Sequence, residues 1–169
     1  MEVEEAIRTR RTHKAFAPEP VPREVLNELF ELARWAPNHH LTNPWRFRVL
    51  GPESLAALKR AAGPEGASKL ERAPTLVAAS VLRSDDPIQD EEDLCAAACA
   101  VYAVLLGAHG HGLVGYWRTP GVLRTPAGRD AVALPPGERF VALIHLGWPR
   151  QDKEPPERLP TGHFVEYLG

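Results

Sequence analysis

A basic cluster at positions 8–14 is the first part of this sequence whose residue types could bind a ligand. Its order is Arg-Thr-Arg-Arg-Thr-His-Lys, which places cations and hydroxyl groups side by side. A guanidinium group can hold two phosphate oxygens at once, and an ammonium group adds a point charge. Such a cluster is also typical of a solvated surface, so it indicates a phosphate site only where other segments complete it.

Three later segments carry side chains that could complete such a site. Residues 38–45 are rich in side-chain donors, residues 110–121 combine glycines with an aromatic pair and an arginine, and residues 149–153 add two cations. Glycine permits a close approach of the backbone to a ligand. Together these segments offer phosphate ligands, donors and stacking surfaces, which suit a bulky planar cofactor that carries a phosphate group.

Length and charge restrict the class of protein. The chain has 169 residues and a net charge of -2 at pH 7. The length predicts one domain, spanning residues 1–169, with a sizeable core. The net charge provides no general attraction to nucleic acid or to an anionic membrane. Because the acidic start is the opposite of a signal-peptide n-region, we expect a cytoplasmic protein.

Hydrophobic periodicity predicts the main elements. Helices are expected at 2–9, 23–35, 54–62 and 88–109, short helical pieces near Val122 and Arg129, and strands at 45–49, 75–82 and 139–146. An extended linker is expected at 15–22, a loop or helical turn at 66–73, and a turn at 110–115. This order favours a layered α/β or α+β domain, with too few strands for a complete doubly wound dinucleotide-binding fold.

Two apolar segments indicate contacts that the elements alone do not explain. The helix at 88–109 is apolar on nearly all sides, which predicts burial inside the domain or in a subunit interface. Its two cysteines, Cys95 and Cys99, are interpreted as small buried residues. The chain ends in an apolar stretch at 164–168, which we expect to pack on another surface, a partner subunit being one candidate.

The histidines favour structural roles over a metal site. His39 and His40 are adjacent, so their side chains point to different sides, and no carboxylate cluster accompanies them. His109 and His111 follow the long helix and are interpreted as its C-terminal cap. His145 lies within a predicted strand and is interpreted as a core histidine with satisfied nitrogens.

Four blocks of residues occur in a particular order along the chain. They are Arg10-Arg11-Thr12 with Lys14-Ala15-Phe16, Ala36-Pro37-Asn38-His39 leading to Asn43-Pro44-Trp45, Gly112 to Thr119, and Leu146-Gly147-Trp148-Pro149. In these blocks and their spacing the sequence resembles the FMN-dependent nitroreductase family, and it is most similar to the compact branch of that family. The resemblance runs nearly from end to end.

The resemblance implies a fold and a cofactor site. The fold would be α+β, a three-layer α-β-α arrangement with a central mixed, mainly antiparallel sheet, in an intertwined homodimer. Arg10 would bind the FMN phosphate, and Thr12 would lie near the pyrimidine edge or the ribityl chain. Either Arg150 or Lys153 would reach the phosphate, and the other subunit would contribute Trp35 and His39. The implied FMN-binding residues are Arg10, Arg11, Thr12, Lys14, Trp35, Asn38, His39, Trp117, Arg118, Thr119 and Lys153.

The resemblance also implies an activity. The protein would use NAD(P)H to reduce nitroaromatic, quinone or similar acceptors by ping-pong hydride transfer, with FMN at the subunit interface and no catalytic side chain. The family often has other residues at Asn38, His39 and Asn43, which leaves open a non-catalytic flavin-binding or sensing module. A dehalogenase-like relative is disfavoured because no insertion is long enough for a substrate lid.

Overall fold

The computed structural model describes residues 2–152 and 154–169. The helices are α1 (Val3–Thr9), α2 (Arg23–Ala33), α3 (Pro52–Leu70), α4 (Pro87–Gly110) and α5 (Pro126–Ala131). The strands are β1 (Trp45–Val49), β2 (Thr75–Leu82), β3 (Val114–Arg118) and β4 (Glu138–Gly147). Short 3-10 turns lie at His39–Leu41, Gly121–Arg124 and Thr161–His163.

The four strands form one sheet in the order β1-β2-β4-β3, and every neighbouring pair is antiparallel. The residues that follow α1, 10–17, are called the first segment. An isolated parallel bridge between Thr12 and Gly115 adds this segment to the sheet. Side chains from α2 and α4 share one apolar cluster with the sheet, and side chains from α3 and α5 share the other. The predicted three-layer α+β fold is therefore confirmed.

The strand β2 is one of the two inner strands of the sheet, and apolar clusters lie on both of its faces. All of its residues from Thr75 to Val81 are buried. A continuous apolar run without alternation is expected where helices cover both faces of a sheet. The prediction of a buried strand at 75–82 is confirmed with the same bounds.

The long helix α4 begins at a capped N-terminus and packs along the sheet. The carboxylate of Asp86 accepts a hydrogen bond from the backbone N–H of Ile88 at 2.9 Å, and Pro87 occupies the first turn. Within the described residues α4 is the one helix long and apolar enough to cross a membrane by length and composition. Its buried residues belong to the domain core. Within the single chain the burial predicted for Cys95 and Cys99 is wrong, because both are exposed on the outer face of the helix.

Three predicted boundaries differ from the structure. The turn expected at 110–115 runs into a strand, β3, which the sequence analysis did not predict because a glycine and a length of only five residues give it a weak pattern. The helix predicted at 54–62 begins earlier, at Pro52, and is interrupted at Gly63 as predicted, where φ is 69°, but a second helical stretch of α3 then runs to Leu70. The helix α2 ends at Ala33 rather than at Trp35, which leaves Trp35 in the following turn.

A buried ion pair connects β1, β2 and β4. Arg48 donates two hydrogen bonds to the carboxylate of Glu138, both at 2.8 Å, and Ser80 donates a third. Burial alone would raise the pKa of Glu138, but the hydrogen bonds from Arg48 and Ser80 and the charges of Arg48 and Arg46 lower it overall. Because the pKa is lowered on folding, this group stabilises the fold above the ordinary value of 4.5, and the contribution is lost as the pH falls through the folded value.

We expect Glu138→Gln to lower the free energy of unfolding by about 2–3 kcal/mol near neutral pH. The reason is that the guanidinium of Arg48 loses its carboxylate, although its partial exposure lets water compensate in part. Urea unfolding measures the change. The matched control is Arg139→Gln, which removes a longer and more exposed pair with Asp90 and should cost less than about 1 kcal/mol. Equal losses in the two variants would contradict this prediction.

Candidate functional site

The basic cluster of the first segment is fixed along one end of the sheet. The backbone N–H of His13 donates to the carbonyl of Gly115 at 3.2 Å, and the N–H of Ala17 donates to the carbonyl of Trp148 at 3.0 Å. An antiparallel bridge joins Phe16 to Pro149. These bonds hold the cluster against the start of β3 and the end of β4.

Gly147 allows this segment to approach the sheet closely. A Cβ atom at Gly147 would lie 3.0 Å from Pro74 and 3.1 Å from the ring of Phe16, so a larger residue would push both away. Pro74 directly precedes β2, whose first residue pairs with the end of β4. The same end of the sheet therefore receives Lys14 from the first segment, Arg72 from the residues before β2, and Arg150 from the residues after β4.

These three cations line a cavity of about 670 Å³, which we call the basic cleft. The cleft also contains Glu71, but the carboxylate of Glu71 pairs with the ammonium of Lys59 at 2.9 Å. The positive charges of Lys14, Arg72 and Arg150 therefore outweigh the negative charge in the cleft. A site of this composition favours an anionic group or the electron-rich edge of a ring.

Tyr116 of β3 holds two cations beside the basic cleft. The ammonium of Lys14 lies 5.9 Å from the centre of the Tyr116 ring, and the guanidinium of Arg118 lies 5.7 Å from it. Arg118 also donates a hydrogen bond to the carbonyl of Lys69 at 3.2 Å. Trp117 packs against the core cluster shared with α4, because alternate residues of a strand face opposite sides. Thr119 is exposed just after the strand.

His145 lies opposite Tyr116 on the neighbouring strand β4 and is not the satisfied core histidine that the sequence predicted. Its ring centre is 5.9 Å from that of Tyr116, and it is 1% exposed. Among the described residues neither ring nitrogen has a hydrogen-bond partner. Burial, followed by the charges of Arg118 and Arg72, lowers the pKa of His145 to about 3. The ring is therefore neutral near pH 7, and the positive charge of this region comes from the arginines and Lys14.

A second cavity, of about 280 Å³, lies on the other side of the first segment. We call it the arginine pocket, after Arg10 and Arg11, which line it with Thr9, His13 and His109. The Nε of Arg10 is buried and has no hydrogen-bond partner among the described residues. Its guanidinium lies 5.5 Å from the ring centre of Tyr102. A buried guanidinium nitrogen requires an acceptor, so the pocket fits a ligand with anionic oxygens.

Side-chain hydrogen bonds fix the conformation of the loop between α2 and β1. The amide of Asn38 donates to the carbonyl of Ala36 at 3.1 Å and accepts from the N–H of Asn43 at 2.9 Å. Asn43 in turn donates to the carbonyl of Leu41 at 2.6 Å. His40, Leu41 and Asn43 all have a positive φ, which costs energy in residues other than glycine. Both asparagines therefore hold the loop in this conformation, and the side chains of the residues between them are exposed.

The structure brings only some of the expected cofactor residues together within one chain. Arg10 and Arg11 line the arginine pocket, Lys14 lines the basic cleft, and the exposed Thr12 lies in the segment between them. Trp35, Asn38 and His39 line cavities on the outer face of α2 and α4 instead. Lys153 lies outside the described residues, whereas Arg150 lines the basic cleft.

Sequence reasoning missed three residues that line or support these cavities. Tyr102 and His109 are seven residues apart on α4, so they share one face of the helix. Both contact residues at the end of α1, Tyr102 through Arg10 and His109 through Thr9. That spacing was the available signal. Arg72 comes directly before the buried strand β2, and only the pairing of β2 with β4 places it at the basic cleft.

Comparison with known proteins finds relatives of this chain in one family. A model of the nitroreductase family matches residues 7–68. A Haemophilus influenzae protein, provisionally named NAD(P)H nitroreductase, is 30% identical over 95% of this chain and 96% of its own length. A Desulfovibrio desulfuricans protein, provisionally named nitroreductase and crystallised in complex with FMN, is 27% identical with a TM-score of 0.82, covering 100% of this chain and 98% of that one.

A further solved structure shows the same fold at lower identity. A nitroreductase-like family protein from Bacillus cereus superimposes with a TM-score of 0.89 and 23% identity, covering 99% of this chain and 96% of that protein. The similarity to the Haemophilus protein extends over almost the whole of both chains, as does the agreement in fold. This chain belongs to the nitroreductase family.

Proposed function

We propose that this chain is a cytoplasmic FMN-dependent oxidoreductase that uses NAD(P)H to reduce nitroaromatic, quinone or similar acceptors by ping-pong hydride transfer. Residues 1–169 would form one FMN-binding domain. The observation that carries the proposal is the buried Nε of Arg10, which lacks a partner among the described residues and lines the arginine pocket. The phosphate of FMN supplies the acceptor that this nitrogen requires.

The chain's own residues provide the binding charges and their orientation. Arg10 and Arg11 would bind the phosphate, and Thr12 the neighbouring part of the cofactor. Lys14 and Arg118, whose charged groups lie 5.9 Å and 5.7 Å from the Tyr116 ring centre, would supply positive charge to the flavin ring. When bound, FMN supplies hydride acceptance from NAD(P)H and hydride donation to the second substrate. The flavin ring becomes more negative when it is reduced. Positive charge beside the ring favours this change, so these cations would make reduction of the flavin easier.

We further propose that the protein is a homodimer with FMN at the subunit interface. Apolar side chains of α2, the turn after it, α4 and the C-terminal segment face water in the single chain, among them Trp35, Phe164 and Tyr167, which are 75%, 70% and 94% exposed. Exposed apolar surface of this extent favours an interface. The outer face of α2 and α4 forms what we call the apolar groove, lined by Leu32, Trp35, Pro37, Cys99, Tyr102 and Leu106. A second copy would cover this groove and bring Trp35, Asn38 and His39 to its partner's cofactor.

The visible absorption spectrum and steady-state kinetics test the proposal. The purified protein should be yellow or should take up added FMN, and it should oxidise NADH or NADPH when a quinone or 4-nitrobenzoate is present. A colourless protein that takes up no FMN would contradict the proposed cofactor. Flavin binding without turnover across both nucleotides and all acceptors would instead favour the non-catalytic flavin-binding or sensing module.

A further inference from the structure

His109 is a titratable group in the arginine pocket that the proposed function does not use. It lies in the last turn of α4, where the helix dipole favours a positive charge. Its Nε2 is 2.7 Å from the hydroxyl of Thr9, the residue directly before Arg10. Both Thr9 and Arg10 line the same cavity as His109. The imidazole is therefore placed beside the group to which we assign the FMN phosphate.

The hydrogen bonds of Thr9 define which nitrogen of His109 carries a proton. The hydroxyl of Thr9 donates to the backbone carbonyl of Glu5 at 2.7 Å. Because that hydroxyl has only one hydrogen, Nε2 of His109 must donate to the oxygen of Thr9. This bond exists in the neutral and in the protonated ring alike. Protonation at Nδ1 consequently adds a charge and a donor without breaking the contact with Thr9.

Groups of both signs surround His109. The α1 helix and the first segment contribute Glu5, Arg10 and Arg11, and the buried His13 lines the same pocket. The segment after β4 contributes the carboxylates of Asp152 and Glu154. Arg11 donates a hydrogen bond to the backbone carbonyl of Glu154 rather than to its carboxylate. Among these cations, the guanidinium of Arg10 lowers the pKa of His109, so it opposes protonation of the imidazole while the pocket holds no anion.

We propose that His109 is a protonatable ligand of the FMN phosphate, so that the chain takes up a proton at His109 when FMN binds and binds FMN more tightly as the pH falls. This inference rests on the proposed function, because it assigns the phosphate to the arginine pocket. The phosphate is an anion beside both Arg10 and His109, so it offsets the repulsion between the two cations.

In the protein without FMN, the groups around His109 shift its pKa in the direction that this coupling requires. Burial, followed by the charge of Arg10, lowers the pKa of His109, and the charge of Glu5 raises it in part. A bound phosphate adds an attraction that favours the charged ring, so it raises the pKa towards or above the ordinary value of 6.5. By linkage, the tighter binding appears as the pH falls through the pKa of the complex, and it is complete below the pKa of the free protein.

Fluorescence titrations with FMN between about pH 5.5 and about pH 8, which bracket the ordinary pKa of histidine, test this proposal. Wild type and His109→Gln are compared, since glutamine keeps a donor for Thr9 but cannot titrate. We expect the ratio of their dissociation constants to change about tenfold across this range, for a pKa shift of about one unit. Because the phosphate itself titrates near pH 6, the ratio is measured rather than either constant alone.

Two controls and a second readout complete the experiment. The His111→Gln variant changes a histidine that pairs with Glu28 at 3.5 Å outside this pocket, and it should keep the wild-type pH profile. Riboflavin, which lacks the phosphate, should show no dependence on His109. NMR titration of the His109 ring should give a higher pKa with FMN than without it. FMN binding with identical pH profiles in wild type and His109→Gln would overturn this inference alone, whereas no FMN binding in either protein would overturn the proposed function together with it.

Discussion

Replacing Arg10 by glutamine is expected to weaken FMN binding by about 2–3 kcal/mol, which is about 30- to 150-fold in the dissociation constant. The reason is that the variant loses a charge-assisted bond to the phosphate from a nitrogen that is already buried. Because this nitrogen has no partner among the described residues, its removal leaves no acceptor unpaired. We therefore expect the free energy of unfolding of the apoprotein to change by less than about 1 kcal/mol.

The Arg8→Gln variant is the matched control for this prediction. Arg8 has the same charge and lies two residues earlier, but it is exposed and pairs with Glu4 across 3.6 Å on the surface of α1. Its replacement should leave the dissociation constant of FMN within about twofold of wild type, since an exposed pair contributes little. Titration of both apoproteins with FMN measures the difference. Equal effects of Arg10→Gln and Arg8→Gln would contradict a phosphate site at the arginine pocket.

Placing a charge on the apolar groove is expected to separate the proposed dimer and to remove FMN with it. Cys99 is exposed on α4 in the single chain and lines this groove, so Cys99→Glu should not disturb the core. In the dimer the new carboxylate would be buried without a partner, at a cost of several kcal/mol. We expect the dimer dissociation constant to rise more than about a hundredfold.

Light scattering coupled to size-exclusion chromatography measures this change, and flavin absorbance is recorded across the same elution peak. The control is Ala56→Glu, which adds the same charge at an exposed position of α3 away from the groove. The control should stay dimeric and yellow. A Cys99→Glu protein that stayed dimeric with full FMN content would contradict the assignment of the groove to the interface.

The fold could be predicted from sequence where the apolar pattern was strong. The continuous run at Thr75–Leu82 and the alternation at Trp45–Val49 gave strand bounds that agree with the structure. The strand β3 was missed because it is an edge strand with a glycine in it, and its pairing with β4 determines its conformation more than its composition does. The kink at Gly63 likewise depends on one backbone angle inside a helical segment.

The sequence selects residue types that suit the candidate site, but it does not show how they are divided between two cavities. Spacing and resemblance selected Arg10 and Lys14, yet only the fold places them on different sides of the first segment. Asn38 was expected to contact the cofactor, but both polar groups of its amide form hydrogen bonds within the loop. Its role at the cofactor stays a prediction. The contribution of His109 depends on the contact between the ends of α1 and α4, which lie 100 residues apart in sequence.

The central claim is that each cofactor site combines Arg10 of one chain with Trp35 and His39 of the other. A mixed dimer, purified through two different tags, tests it most directly. One chain carries Arg10→Gln, and the other carries Trp35→Ala with His39→Ala. If the sites are shared between chains, one site of the mixed dimer receives every substitution and the other receives none. Titration should then find one tight FMN site for each pair of chains. If each site belongs to a single chain, both sites are damaged, and a mixed dimer with no tight FMN site would contradict the account.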